Sequence, residues 1–165
     1  MSNQPAVVVE DLRKAYGDFA AVDDLSFEIH QGETFSLLGP NGAGKSTTIE
    51  ILEGFRRRTS GRVSVLGTDP AHGDADWRAR LGIVLQDLPE GGAYTVREQL
   101  KQNALFYPHP REVEEVIAAV GLEKKADVRI GKLSGGQRRR VDVALGVIGR
   151  PDLLFLDEPT TGFGP

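Results

Sequence analysis

The segment from Gly39 to Ser46 constrains the fold more than any other part of the chain. It reads Gly-Pro-Asn-Gly-Ala-Gly-Lys-Ser and joins an apolar run to a segment with helical periodicity. Glycine at these positions lets backbone N–H groups converge on an anion, and the helix that follows presents the positive end of its dipole to the same point. The spacing is typical of a phosphate-binding loop, in which the lysine reaches the terminal phosphates and the serine ligates Mg²⁺. Because such a loop joins a strand to a helix, it predicts an α/β fold.

The periodicity of the apolar residues predicts the remaining elements. Strands are predicted over residues 6–9, 25–29, 34–38, 63–66, 81–85 and 153–156, and helices over 44–55, 113–120 and 141–148. Residues 34–38 are predicted to form a deeply buried strand, and residues 153–156 a central parallel strand buried on both faces. The change from strands to helices predicts an α/β core of residues 1–94 and 150–165, with a helical insertion over 95–149.

Composition excludes several classes of site and partner. The 165 residues include no cysteine, which excludes disulfides, thiolate metal sites and a cysteine nucleophile. The three histidines are far apart in the sequence, so a multi-histidine metal site has no support. A net charge of −4 argues against nucleic acid as a partner. Since no apolar run reaches the roughly 20 residues that span a bilayer, the sequence predicts a cytosolic protein.

Two adjacent acids, Asp157 and Glu158, follow the apolar run 153–156. In a phosphoryl-transfer site the first acid can hold Mg²⁺, while the second, on the opposite side of the strand, can act on the attacking water. The alternative is that both are solvated acids at the start of a loop.

A second candidate anion site lies in the segment Leu133–Gln137, which reads Leu-Ser-Gly-Gly-Gln before a predicted helix. Free N–H groups, a hydroxyl and the positive end of the helix would meet there. The alternative is an ordinary serine cap with a glycine-rich approach.

Together, the segments GPNGAGKST (39–47), LSGGQ (133–137) and LLFLDEP (153–159) resemble the nucleotide-binding domain of ATP-binding cassette (ABC) proteins. Tyr16 in KAYG and Gln86 in GIVLQD stand where that family places an adenine-stacking aromatic residue and a glutamine-loop residue. All five elements occur in the family's order. The resemblance implies a P-loop NTPase (RecA-like) core with an N-terminal antiparallel β subdomain and the helical insertion.

The resemblance also implies a dimer in which each ATP lies between the phosphate loop of one subunit and the LSGGQ segment of the other. Glu158 would be the general base, and Mg²⁺ would be held by Ser46, Gln86 and Asp157. The implied nucleotide contacts are Tyr16, Gly39, Pro40, Asn41, Gly42, Ala43, Gly44, Lys45, Ser46 and Thr47. The implied contacts with the ATP of the other subunit are Leu133, Ser134, Gly135, Gly136 and Gln137.

The function implied by the resemblance is that of an ATP-binding and ATP-hydrolysing subunit of an ABC membrane transporter. The segment VLGTDP (65–70) is most similar to those of export-type systems for drugs, lipids or polysaccharides. The implied partners are a separate multi-spanning membrane permease and a second nucleotide-binding subunit, with the chain peripheral on the cytoplasmic face of the cell membrane. Two alternatives stay open: a soluble ABC ATPase without a transport role, and a nucleotide-binding remnant without independent ATPase activity.

The end of the sequence departs from the family's pattern. Where members carry an aspartate after the two acids, this chain has Gly164, and the family's switch histidine lies on a later strand than any of His30, His72 and His109. We therefore expect a truncated domain whose fold is incomplete at its C-terminus. Two arginine clusters, Arg56–Arg58 and Arg138–Arg140, are expected to be solvated.

Overall fold

The structure is a computed structural model that describes residues 4–84 and 92–156. It divides into two compact units, the first ending at Arg78 and the second beginning at Ala79. Antiparallel strands dominate the first unit, whereas the second combines a parallel strand pair with helices. This mixture confirms the predicted α/β class. The predicted subdomain boundaries at residues 95 and 149 stay a prediction.

A three-stranded antiparallel sheet forms the framework of the first unit. Its strands are β1 (Val7–Tyr16), β2 (Phe19–Ile29) and β3 (Ser60–Val65), in the order β2-β1-β3. β1 and β2 form a hairpin in which Tyr16 pairs with Phe19, and Gly17 at the turn has a φ of 58°. Both strands extend beyond the predicted apolar runs, because the tight turn brings the intervening polar residues into register.

Two helices accompany this sheet: α1 (Lys45–Leu52) follows the glycine-rich loop, and α2 (Ala75–Ala79) follows a short 3₁₀ turn over Pro70–His72. Ile51 and Leu52 of α1 are buried. The helix ends earlier than predicted, because Gly54 adopts a φ of 83° and directs Phe55 into solvent.

The predicted strand over residues 34–38 is not formed, and this prediction is wrong. The segment is irregular and mostly exposed, and Leu38 is 90% accessible to solvent. A strand requires neighbours that accept and donate its backbone hydrogen bonds, and the described strands pair with one another rather than with this segment. Its clearest anchor is Phe35, whose ring stacks on Phe27 of β2 with ring centroids 4.8 Å apart.

The second unit contains strands β4 (Leu81–Val84) and β5 (Leu153–Leu156), which pair in parallel with Leu81 opposite Leu153. The predicted parallel orientation of β5 is therefore confirmed. Its predicted burial on both faces is wrong for the described residues, since its first three residues are half-buried and Leu156 is exposed. The reason is that β4 is the only strand to pair with β5 in the described part of the chain.

Three helices build the core of the second unit: α3 (Val96–Ala104), α4 (Val113–Ala119) and α5 (Gly135–Val147). Short 3₁₀ turns cover Glu123–Lys125 and Ile130–Lys132. A left-handed glycine closes the C-terminus of α4: Gly121 has a φ of 69°, and Leu122 N–H donates to Ile117 O at 3.0 Å. The largest buried side chains of this core are Leu100, Ile117, Leu122 and Ile148.

The expectation that Arg138–Arg140 form a solvated helix face is corrected at Arg139, which is only 6% exposed. Its guanidinium lies 3.9 Å from the carboxylate of Asp142, one helical turn away and also buried. The correction follows from helical geometry, because Arg139 and Asp142 are three residues apart and share one buried face of α5, whereas Arg140 lies on an exposed face.

No helix within residues 4–84 and 92–156 has the length and apolar character required to cross a membrane.

Candidate functional site

The glycine-rich loop of the first unit has a backbone that few other sequences could adopt. Gly42 and Gly44 have φ values of 84° and 83°, and Ala43 N–H donates to Pro40 O at 3.1 Å to close the turn between them. Positive φ at two positions bends the chain so that it enters α1 directly after the loop. The loop residues from Gly39 to Ala43 are exposed and accessible to a ligand.

Gly44 fits tightly against the sheet. A Cβ atom at this position would lie 2.2 Å from Ala21 O and 3.0 Å from a methyl group of Val22 in β2. No side chain can occupy that space without moving the backbone. Because Gly44 has no side chain, the start of α1 can pack directly against the hairpin.

The N-terminus of α1 carries uncompensated positive potential. No acidic residue lies in its first turn, and no side chain caps its free N–H groups. Lys45 begins the helix and folds back so that its Nζ donates to Gly39 O at 2.5 Å, which places the ammonium group over the loop. Ser46 is exposed and Thr47 half-buried, whereas the hydroxyl of Thr48 is used within the helix, where it donates to Gly44 O at 2.8 Å. An anion at this point would meet backbone donors, a dipole and an ammonium group.

Tyr16 lies at the end of β1 in the same unit, and the residue is 46% exposed. The hairpin that carries it also contacts the phosphate loop, because Ala21 of β2 lies against Gly44. Lys14, two residues earlier on the same strand, places its ammonium 4.8 Å from the centroid of the Tyr16 ring. The structure thus joins the predicted aromatic residue and the predicted phosphate loop through one hairpin.

The LSGGQ segment lies in the second unit. Leu133 is buried in its core, and Ser134 is the N-cap of α5. Ser134 Oγ accepts from Gln137 N–H at 3.2 Å, and Gln137 Oε1 accepts from Ser134 N–H at 3.0 Å, which forms a reciprocal capping box. The N–H groups of Gly135 and Gly136 remain in the first turn, where helical geometry gives them no partner. A Cβ at Gly135 would meet no atom within 4 Å, so the space above it is open.

The capping role of Ser134 is compatible with an anion-binding role. A serine hydroxyl has one proton and two lone pairs, and the cap uses only a lone pair. The proton is free to be donated to a phosphate oxygen. The two interpretations of this serine, as a helix cap and as a phosphate ligand, therefore describe different parts of the same group.

Three predicted site residues, Gln86, Asp157 and Glu158, lie outside the described residues. Of the predicted magnesium ligands, Ser46 is the one within them, and its exposed hydroxyl beside Lys45 fits a ligand to a phosphate-bound cation. Among residues 4–84 and 92–156, no three histidine, aspartate or glutamate side chains gather as a metal site.

Sequence reasoning missed the groups that hold Tyr16. Arg56, which was expected to be solvated, donates from Nη1 to the Tyr16 hydroxyl and from Nε to Glu50 Oε2, the latter at 2.5 Å. Arg58, from the same cluster, pairs with Asp69 through both terminal nitrogens at 2.8 and 2.7 Å. Neither pairing has a regular sequence spacing, so no periodic pattern could have indicated them.

Comparison with known proteins gives one family and many relatives. The model of the family described as "ABC transporter" matches residues 22–161. The chain is 43% identical, over 97% of its length, to the Nod factor export ATP-binding protein I of Sinorhizobium fredii, and 40% identical over its full length to the protein of the same name from Ralstonia nicotianae. These matches cover 48% and 53% of the two relatives, so the chain spans about half their length.

Solved structures agree with the sequence comparison. The ATP-binding subunit of an ABC transporter superposes with a TM-score of 0.82 at 27% identity, covering 97% of this chain and 69% of that one. A dimeric ATP-binding cassette in a post-hydrolysis state, bound to ADP and inorganic phosphate, superposes with a TM-score of 0.81 at 26% identity, covering 96% of this chain and 76% of that one.

Proposed function

Because the chain belongs to the ABC transporter family, we propose that it is the ATP-binding and ATP-hydrolysing part of a membrane exporter. The observation that carries the proposal is the loop from Gly39 to Ser46, whose left-handed glycines, free helix N-terminus and overlying Lys45 together form a cradle for a triphosphate. The names of the relatives support the direction of transport, since they are described as export proteins.

In this proposal, ATP binds with its phosphates on the loop and its base on the ring of Tyr16. Lys45 Nζ releases Gly39 O and donates to the terminal phosphates, which replaces a neutral acceptor with a charged one. Ser46, Gln86 and Asp157 would hold Mg²⁺, and the ion would neutralise charge on the phosphate oxygens. Glu158 acts as the general base for the attacking water.

The capping box of α5 supports a second part of the proposal, namely that two copies enclose each ATP. Ser134, Gly135 and Gly136 offer a hydroxyl proton and two N–H groups at an open helix terminus, and the first unit already contains its own phosphate cradle. A second cradle in one chain is explained when each copy completes the site of another. The proposed membrane partner is a separate multi-spanning permease, with this chain at the cytoplasmic face of the membrane. Nucleic acid is not a proposed partner.

The proposal is tested by the affinity of the protein for Mg-ATP, measured by isothermal titration calorimetry. Lys45→Ala removes a charge-assisted hydrogen bond, a loss of about 1.5–3 kcal/mol, and is expected to raise the Kd by about 10- to 100-fold. Lys124→Ala, an equal loss of charge on an exposed part of the second unit, serves as the control and is expected to leave the Kd unchanged.

Turnover of Mg-ATP distinguishes the exporter ATPase from a nucleotide-binding remnant. Loss of a general base costs about 10²- to 10⁴-fold, so Glu158→Gln is expected to reduce phosphate release by that factor and to leave ATP binding intact. Binding without turnover in the unaltered protein would favour the remnant. A protein that binds no Mg-ATP, or binds it equally well without Lys45, would contradict the proposed function.

A further inference from the structure

The ring of Tyr16 is held at its hydroxyl end by a two-step chain of hydrogen bonds. Arg56 Nη1 donates to the hydroxyl oxygen of Tyr16, and Arg56 Nε donates to Glu50 Oε2 at 2.5 Å. The Arg56 guanidinium carbon lies 5.9 Å from the ring centroid, farther than the ammonium of Lys14 at 4.8 Å. Both cations lie over the ring, and of the two Arg56 is the one that also donates to the hydroxyl.

Arg56 is itself fixed to the C-terminus of α1. Its backbone N–H donates to Glu50 O at 3.1 Å, so Glu50 holds Arg56 with both its carbonyl and its carboxylate. The hydrogen bond with the Glu50 carboxylate raises the pKa of the Arg56 guanidinium. Because α1 begins at Lys45, one helix carries the phosphate loop at one end and the support for Tyr16 at the other.

The neighbouring arginines differ from Arg56 in what they contact. Arg58 pairs with Asp69, and the side chain of Arg57 is exposed. Arg56 alone, among the three, has a described contact with Tyr16. The three consecutive arginines therefore allow the loss of a guanidinium that contacts Tyr16 to be compared with the loss of one that does not.

We propose that Arg56 is a positioning residue that presents the ring of Tyr16 to the base of the nucleotide, and that Glu50 holds Arg56 in place for this purpose. The proposal rests on the proposed function, since it assumes that Tyr16 stacks on adenine. A tyrosine at the exposed end of a hairpin loses side-chain freedom when a base stacks on it. A ring that is already held by its hydroxyl loses less, and ATP binds more tightly.

The proposal restricts the effect to ligands that carry a base. Arg56→Met keeps the aliphatic length of the side chain and removes the guanidinium. Immobilising one side chain accounts for about a 2- to 10-fold change in affinity, so we expect the Kd for Mg-ATP to rise by that factor. The Kd for magnesium tripolyphosphate, which has no base, is expected to stay unchanged, measured by displacement of a fluorescent ATP analogue.

Tyr16→Phe provides the second variant, because it removes the hydroxyl and retains the ring. It is expected to weaken ATP binding as much as Arg56→Met does, and the double variant is expected to be no weaker than either single variant. Arg57→Met, the matched control, is expected to leave both affinities unchanged. Circular dichroism checks that each variant is folded. If Arg56→Met does not fold, Tyr16→Phe still tests the same contact.

Three results would overturn the proposal. If Arg56→Met weakened the binding of ATP and of tripolyphosphate equally, the effect would be a general one of charge on the phosphates. Additive losses in the double variant would show that Arg56 does not act through the Tyr16 hydroxyl. An unchanged ATP affinity in both single variants would show that the contact has no role in binding. The proposed function fails separately, when the unaltered protein binds no ATP or Lys45→Ala has no effect.

Discussion

Gly44 is a residue whose replacement the structure tolerates poorly. A Cβ there would meet Ala21 O at 2.2 Å, and the backbone has a φ of 83°. The left-handed conformation costs a non-glycine residue about 1 kcal/mol, and a contact this close adds about 1–3 kcal/mol. Gly44→Ala is therefore expected to lower the free energy of unfolding by about 2–4 kcal/mol, measured by urea titration with the fluorescence of Trp77, the single tryptophan in the chain.

Gly42→Ala is the matched control. Gly42 has nearly the same φ, 84°, but a Cβ at that position would meet nothing within 4 Å. Only the conformational cost of about 1 kcal/mol is expected. Equal losses in the two variants would show that the contact between Gly44 and β2 contributes nothing to stability.

At the scale of elements, the ion pair between Arg58 and Asp69 links the segment after α1 to the 3₁₀ turn over Pro70–His72. The hydrogen bonds from Arg58 hold the pKa of Asp69 down at about 2, against an ordinary value of 3.8. Between these values the folded protein binds fewer protons than the unfolded chain, so the contribution of Asp69 is complete above about pH 4 and is lost as the pH falls toward 2. Because the Asp69 side chain is 32% exposed, the loss is expected to be at most about 1 kcal/mol.

Urea titrations at pH 4, 3 and 2 measure this dependence. Asp69→Asn retains an acceptor for Ala71 N–H but cannot titrate. The free energy of unfolding of this variant is therefore expected to fall less steeply between pH 4 and pH 2, because the contribution of Asp69 to that slope is lost. Asp74→Asn, which replaces another aspartate that accepts from a backbone N–H, leaves the ion pair intact and is expected to retain it. An unchanged slope in Asp69→Asn would contradict the link between this pair and acid stability.

The elements differ in how far the sequence predicts them. The helix starts at Lys45 and Val113 were predicted closely, because the glycine-rich loop and the apolar spacing are local signals, whereas the end of α1 was predicted too late. The strand predicted over residues 34–38 failed, because apolar composition indicates a preference for burial and says nothing of which strand supplies the hydrogen bonds. β5 was predicted in its position and orientation but not in its exposure, which depends on neighbours.

The candidate site shows the same division. The phosphate loop and the LSGGQ segment are contiguous in sequence, so residue type and spacing indicate them directly. Arg56 lies 40 residues from Tyr16, and the contact between them depends on how the hairpin lies against α1. Arg139 and Asp142 lie between these cases, because their spacing of three residues is visible in the sequence whereas their burial is not.

At the scale of the whole molecule, two capping boxes allow the proposed dimer to be tested against simple loss of stability. Thr95 and Glu98 cap α3 with the same two hydrogen bonds, at 2.9 and 3.2 Å, that Ser134 and Gln137 make on α5. Thr95→Ala and Ser134→Ala are each expected to cost about 1 kcal/mol of stability. Only Ser134→Ala is expected to reduce the dimeric fraction in Mg-ATP, measured by sedimentation velocity.

Equal losses of dimer in the two variants would show that Ser134 acts through helix stability alone. A protein that remains monomeric at saturating Mg-ATP would contradict the proposed enclosure of ATP between two copies. Both measurements use one concentration series, because dimerisation depends on protein concentration.

The hairpin of β1 and β2 has a consequence for motion. It carries Tyr16 at its turn and lies against Gly44 through Ala21, so in the proposed function a single nucleotide would touch both the hairpin and the helix that packs on it. A ligand that binds two elements opposes their separate opening. Amide hydrogen exchange along the hairpin and in the first turns of α1 should then slow together when ATP binds, because two elements that opened separately would open as one cooperative unit.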